Sequence, residues 1–481
     1  MFDVDVLVIG GGPAGAASAV ALAQLGLRVL IADAGVARER ILAGELLHPA
    51  AVEDLRALGL TDAIEQARGQ EVKGFVALDE RPASRRASLL PYGENERGLA
   101  LDHAALTDSL LEAAGKRDGV TLMRHTRVGE IYRNDASGVE VTLVGPAEVS
   151  SVETPVRVRA RLLVGADGRA SRVRKLLGIS EHHVRLSSMV GVVVPADLLP
   201  YPFHGHLFVG GPAPVLAYAI NPEHARVMVD LPLGSTPRLI ADDASILSGV
   251  PEPLRQGIIA ALAVQTPRVA SNDTRLPDRV ARGSAVLVGD AAGCCHPVSA
   301  SGITSALRDA RVLQDSVRQS QGSMERALSR YVHERRPAQR TRIALASALY
   351  QAFSGREGDM EALRSGLFRY WQETADGGRL SMSLLSSRES RMWKMAREYS
   401  RVVTHGVLAL ADQATQVGPR KLPRIAQAGA GLVASAWPWV QGAVAGMMED
   451  MARRIPTPAA GPIARTRRLI RARISAERRL P

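Results

Sequence analysis

A mixed α/β fold is predicted for this chain from three observations. An apolar, β-branched run at the N-terminus leads through a glycine turn into an alanine-rich segment and a second apolar run. Two later stretches each pass from an apolar run into a turn that holds Gly and Asp. Short β-like runs fill the space between those stretches, and the chain turns helical towards its end. At 481 residues it is too long for one ordinary core, so two or three domains are expected.

The first element reads "DVLVIGGGPAGAASAVALAQLGLRVLIAD". Val4–Ile9 has the length and β-branching of a buried strand. Gly10-x-Gly12-x-x-Gly15 follows at once, with Pro13 and Ala14 inside the turn and an alanine-rich helix to about Leu25. The glycines allow a tight turn and bring backbone close to a pyrophosphate at the helix N-terminus, where free N–H groups favour anions. The second strand ends in Asp33, at the distance suited to accepting hydrogen bonds from an adenosine ribose. Ala34 and Arg40 follow it as further candidate contacts. Strand, turn, helix, strand and terminal acid together predict a Rossmann-type dinucleotide site.

Two further motifs lie behind apolar strands. "RARLLVGADGRASRVRKLLG" holds Asp167-Gly168-x-x-Ser171-x-x-Arg174. "LVGDAAGCCHPVSASGITSALRDA" holds Gly289-Asp290 and then both cysteines, His296, Pro297, two serines, Gly302 and Ile303. Taken alone, each acid reads as a helix or turn cap. The adjacent cysteines exclude a disulfide framework and a multi-cysteine zinc site, and they read as reduced, small and buried. A lone histidine beside proline reads as structural. No G-x-S-x-G elbow, paired carboxylates or metal-ligand spacing is present, so hydrolase and metal chemistry are not expected.

Residues 181–275 carry the β-like runs "MVGVVV", "GHLFVGG", "VLAYAI" and "RVMVDLP", separated by Pro and Gly. They suggest a second sheet with apolar positions suited to a hydrocarbon. After about residue 345 the pattern is helical. "GVLALA" at 406–411 stands out, as does the uncharged run 425–448, which contains Pro438, Trp437 and Trp439. Residues 451–481 add nine arginines against one acid, Glu477. This combination favours a surface-lying anchor on an anionic membrane over a span. No nucleic-acid partner is expected. The N-terminus enters a strand with no secretory pattern ahead of it, so the cytoplasmic side of a membrane is the expected location.

The ordered trio GxGxxG, DGxxSxxR and GD resembles the single-component flavoprotein monooxygenases of the para-hydroxybenzoate hydroxylase fold. Further stretches narrow the resemblance to squalene monooxygenases (squalene epoxidases). Gly44-Glu45-Leu46-Leu47-His48-Pro49 stands where that family has Gly-Glu-Leu-Leu-Gln-Pro. "ASLLPYGE" is similar to its Pro-Tyr segment, and the loop from Cys295 to Thr304 to its His-Pro-Leu-Thr-Gly-Gly-Gly-Met-Thr loop. Ala300 and Ser301 replace two glycines there, and His103 stands where many relatives have an arginine beside the cofactor.

The resemblance implies an FAD-binding domain at 1–75, 101–180 and 276–345, a substrate domain at 76–100 and 181–275, and a helical, membrane-associated region at 346–481. It implies that Asp290 bonds the ribityl chain of FAD and Asp167 supports the pyrophosphate region. The helix from Gly302 and Ile303 would aim its N-terminus at the flavin pyrimidine, with Pro297 and His103 nearby, and Tyr92 would stand at the flavin edge as the catalytic candidate. The implied activity is epoxidation of an isoprenoid alkene through a flavin C4a-hydroperoxide, using O₂. Electrons would come from NAD(P)H, directly or through a separate reductase. The alternatives are a monooxygenase of a prenylated quinolone or quinone, and an FAD-dependent reductase of prenyl chains.

Overall fold

The strand Val4–Ile9 is apolar and buried from Val6 to Ile9 because it lies between two parallel neighbours, Pro155–Gly165 and Val29–Ala32. The computed structural model describes residues 3–35, 42–81, 85–145, 155–354 and 358–416, with 427, 430 and 431 besides. Arg40, the run 425–448 and the basic tail lie outside the described residues. Among the described residues, the first sheet runs in the order Ala281–Arg282, Ala285–Leu287, Pro155–Gly165, Val4–Ile9, Val29–Ala32, Val120–Met123. An antiparallel pair, Gly138–Val144 and Arg127–Asp135, extends from the Pro155–Gly165 strand.

The alanine-rich helix Pro13–Ala23 buries every residue from Ala14 to Leu22. Its small side chains let it pack closely against His103–Gly115 and against the central helix, Gly302–Gln319. Parallel strands with helices laid on them make this the dinucleotide-binding half of an α/β molecule.

The second sheet has the order Arg268–Pro277, Glu181–Pro195, His224–Leu231, Val215–Ala219, His204–Phe208, Gly74–Asp79, Arg86–Pro91. One of its faces packs on the helix Glu252–Val264 and its neighbours. The other looks towards the helices Met324–Ser354 (the long helix), Gly358–Glu373, Gly377–Leu385 and Met392–Gln416. A small sheet of Leu46–Leu47, Gly98–Ala100 and Gln70–Val72 joins the two halves.

Three of the expected divisions cut single elements. The long helix runs unbroken through residue 345, the strand Gly74–Asp79 runs through residue 75, and the strand Arg268–Pro277 runs through residue 275. A change in composition marks a change of environment along an element, and here the element itself continues.

Candidate active site

The glycine turn is shaped by steric necessity. Gly10 adopts φ +103°, and a Cβ there would sit 2.5 Å from the Ala166 carbonyl oxygen. A Cβ on Gly15 would lie 1.9 Å from the Gly10 oxygen. Gly12, by contrast, faces open space, and the helix that begins after it has no side-chain cap. That leaves first-turn N–H groups for an anion. Asp33 is buried and accepts from the Gly11 N–H (2.8 Å) and the Gly35 N–H (3.2 Å), so it anchors the turn. Each carboxylate oxygen has two lone pairs, so this bonding leaves capacity for ribose hydroxyls. Pro13 is half-buried, Ala14 buried and Ala34 exposed along the same rim.

The later motifs are wired to each other. Asp167 accepts from Ser171 Oγ (2.5 Å) and from the Val173 N–H (3.0 Å), so its carboxylate is turned to its own short helix. Its effect on a pyrophosphate therefore acts through the shape of the loop. Arg174, 1% exposed, donates to the carbonyls of Ala291 (2.8 Å) and Arg169 (2.7 Å) and pairs with Glu181. It thus ties the DG loop to the GD turn. In that turn Gly289 takes φ +58° and donates its N–H to Asp309 (2.9 Å), which is itself paired with Arg335. Asp290 lines the chamber beyond.

The loop that follows carries both cysteines and His296. Cys294 and Cys295 are free thiols. Burial pushes Cys294 up to about 12 and raises Cys295, so both stay protonated and neither is a nucleophile at neutral pH. His296 is 1% exposed and stacks on Tyr350 with ring centres 4.1 Å apart. Its Nδ1 accepts from the Val298 N–H (3.2 Å), which places the proton on Nε2, facing Asp230 (3.1 Å). Asp230 and Ser187 are bridged in turn by Asn272. Pro297 starts a short turn, and Ala300 takes a left-handed conformation at φ +49°. The resemblance set out above has glycine in this loop, and an alanine in this conformation costs about 1 kcal/mol. The central helix then begins at Gly302 with no side-chain cap and open space at Gly302.

Tyr92 is buried, and its hydroxyl lies 2.6 Å from His48 Nδ1. The other ring nitrogen of His48 reaches the Ser299 carbonyl at 3.0 Å, so Nε2 carries the proton and the Tyr92 hydroxyl donates to Nδ1. Tyr92 therefore braces the loop before the central helix through His48. Burial pulls His48 down to about 4 and keeps it neutral. His103 sits half-buried at the start of its helix, with Nδ1 2.9 Å from the Gly44 carbonyl. Glu45 and Arg226, 1% and 2% exposed, form a bidentate pair that locks the small sheet to the second sheet.

Two cavities meet at this loop. A chamber of about 980 Å³ is bounded by Asp290, Cys295, Pro297, Gly302 and Arg342 on one side and by Leu42, Met189, Leu216, Tyr218 and Met228 on the other. The second cavity, about 910 Å³, lies between the second sheet and the C-terminal helices. Leu345, Ala348, Phe353, Leu367, Trp371 and Tyr399 line it, almost without polar atoms. Phe75 and Leu216 belong to both. The chamber brings Asp290, Pro297 and Gly302 together, while the glycine turn, Asp33 and Asp167 stand outside its wall. An uncapped helix start at each end and Asp290 in the chamber fit FAD, whose pyrophosphate and ring would be held by Gly12 and by Gly302 respectively. The pairings of His48, Arg174, Asp309 and Glu45 lie far apart in sequence, and only the motif letters around them hinted at a role.

Fold and site place the chain among the FAD-dependent monooxygenases. The FAD-dependent oxidoreductase family model matches residues 5–171, and the squalene epoxidase family model matches residues 159–422, more than half of the chain. The chain belongs to the squalene epoxidase family. It is 27% identical over 419 residues to squalene epoxidase 3 of Arabidopsis thaliana, covering 84% of this chain and 78% of that one. To the squalene epoxidase of Schizosaccharomyces pombe it is 28% identical over 384 residues, covering 77% and 83%. Among solved structures, Pseudomonas aeruginosa PqsL in complex with 2-aminobenzoylacetate is similar, with TM-score 0.60 and 25% identity over 73% of this chain and 97% of that one. The p-nitrophenol 4-monooxygenase of Pseudomonas putida shares the fold, with TM-score 0.65 and 19% identity over 84% and 99%.

Proposed function

We propose that this protein adds one oxygen atom of O₂ across a double bond of an isoprenoid hydrocarbon of the squalene class. The other oxygen leaves as water, with two electrons from NAD(P)H and two protons. Bound FAD supplies the chemistry that activates O₂. The observation that carries the reading is the apolar cavity, which lies next to the FAD chamber and shares Phe75 and Leu216 with it as a common wall. A hydrocarbon chain lying along Leu345, Ala348 and Phe353 would present one end at the loop before the central helix.

The residues around that point bind, orient and exclude water rather than act as reagents. Glu45 and His296 both line the chamber, with Glu45 engaged by Arg226 and His296 by Asp230, which disfavours either as an acid that would open an epoxide. Asn272 is likewise engaged with protein partners, which favours a hydrocarbon over a polar aromatic head.

The proposal extends to a separate reductase as electron donor and to peripheral contact with an anionic membrane. Among the described residues no helix is long and apolar enough to cross a membrane. Val407 and Leu408 stand exposed on the helix Met392–Gln416, ahead of the uncharged run and the basic tail in sequence, and support contact with a bilayer surface.

Product identification tests the reading. The flavin-loaded protein, a reductant and O₂ are incubated with squalene, a prenylated quinolone and a prenylated quinone, and the products are read by mass spectrometry. The expected product is a squalene epoxide. Oxidation of the prenylated aromatics alone, or saturation of a prenyl chain with no oxygen consumed, would overturn it.

A further inference from the structure

A separate pocket of about 1260 Å³ opens between the central helix, the long helix and residues 387–392. Five arginines line it, Arg308, Arg335, Arg340, Arg342 and Arg391, against two acids, Asp309 and Glu334. Two of these arginines are set in the protein interior, each only 8% exposed. Arg335 donates through Nε to Asp309 at 2.8 Å, and its Nη2 has no partner. Asp309 is already shared with the Gly289 N–H. Arg342 bonds only neutral acceptors, Gln339 Oε1 and the Gly293 carbonyl, both at 3.1 Å. Thr304, 1% exposed, adds a hydroxyl with no partner.

A buried guanidinium without a full carboxylate partner is unfavourable unless an anion completes its bonding. Arginine forks match phosphate oxygens in pairs, and hydroxyls such as those of Thr304 and Ser305 extend the same donor set. The wall holds few apolar side chains, so the hydrocarbon of the other cavity does not belong here. Its arginines come from both helices and from residues 387–392, a donor set spread wider than one phosphate ion. We propose that this pocket binds a phosphate-bearing ligand, with Arg335 and Arg342 as its buried donors. Arg342 also lines the FAD chamber, so occupancy of the pocket would be felt at the flavin. The proposal does not depend on which alkene is oxidised.

The test uses the full chain saturated with FAD, so that the cofactor's own phosphate site is filled. Inorganic pyrophosphate is titrated by calorimetry with the flavin absorbance recorded, then NADP⁺ is added as competitor. Phosphatidylglycerol and phosphatidylcholine vesicles form the lipid arm, read by co-sedimentation. The expected result is saturable pyrophosphate binding with a small flavin band shift. Arg342→Gln would weaken binding about tenfold, with its FAD content measured alongside because Arg342 also lines the FAD chamber; Arg308→Glu, a surface variant outside that chamber, would weaken binding about tenfold while retaining FAD. Competition by NADP⁺ assigns a nucleotide ligand. Binding of phosphatidylglycerol vesicles that both variants weaken, with no competition by NADP⁺, assigns a lipid headgroup. Failure of pyrophosphate, NADP⁺ and phosphatidylglycerol all to bind saturably, or equal binding by wild type and variants, would overturn the proposal.

Discussion

His48 stands where the resemblance set out above has a glutamine, and its two ring nitrogens bond Tyr92 and the Ser299 carbonyl. A glutamine amide can donate to the Ser299 carbonyl and accept from Tyr92, the same two bonds that His48 makes. The difference is titration. Folded His48 stays neutral down to about 4, whereas an exposed histidine protonates near its ordinary value of 6.5. Between those values the unfolded chain binds the extra proton, so stability falls as pH drops through that window and is unaffected above it. His48→Gln removes this loss. At about pH 5 the variant should gain about 2 kcal/mol on wild type relative to the comparison at about pH 8, read from urea unfolding. An equal pH dependence in the two proteins would contradict the tautomer and burial assigned to His48. Tyr92, expected from sequence to act at the flavin edge, is on this geometry a positioning residue whose hydroxyl already has its acceptor.

At the scale of elements, three loops separated in sequence behave as one unit. Arg174 joins the DG loop to the GD turn, and Asp309 joins that turn to the central helix. Arg174→Met removes two carbonyl contacts and the Glu181 pair, and is expected to cost about 2–3 kcal/mol and to weaken FAD binding about tenfold. Thermal unfolding and flavin titration check it, and unchanged FAD affinity would separate the loop from the cofactor site. The motifs themselves were legible in the sequence because glycine turns behind apolar strands have few other uses. The glycine turn, the GD turn and the start of the central helix stand at the expected residues. The partners of those motifs were not legible, since Arg174 with Ala291 and His296 with Asp230 meet only after two sheets and a helix are placed. Asp167 shows the converse: its capping bonds are local, and the local reading of a helix cap describes where its carboxylate points. Ala300 keeps a left-handed turn in a loop where the resemblance has glycine, a conformation its residue type does not announce.

On the scale of the whole molecule, one sheet carries the glycine turn that would hold the dinucleotide, the second closes the chamber that would hold the flavin ring, and four C-terminal helices enclose an apolar volume against that sheet. The buried Glu45–Arg226 pair holds the small sheet to the second sheet. Nothing in the hydropathy of the long helix distinguishes residues facing a cavity from residues facing a core, so the apolar cavity becomes visible only once the helices are packed. The central claim is that this cavity and the chamber act as one binding site for the oxidised chain. The direct measurement is a single turnover with ¹⁸O₂, in which anaerobically reduced, flavin-loaded protein is mixed with squalene and the lipid is analysed by mass spectrometry. Wild type is compared with Ala348→Trp, which fills the cavity while leaving the residues around the flavin in place. The account predicts one ¹⁸O atom in a squalene epoxide from wild type, and loss of that product in a variant that keeps its full flavin content. Equal labelled epoxide from both proteins, or no labelled hydrocarbon from wild type, would contradict it.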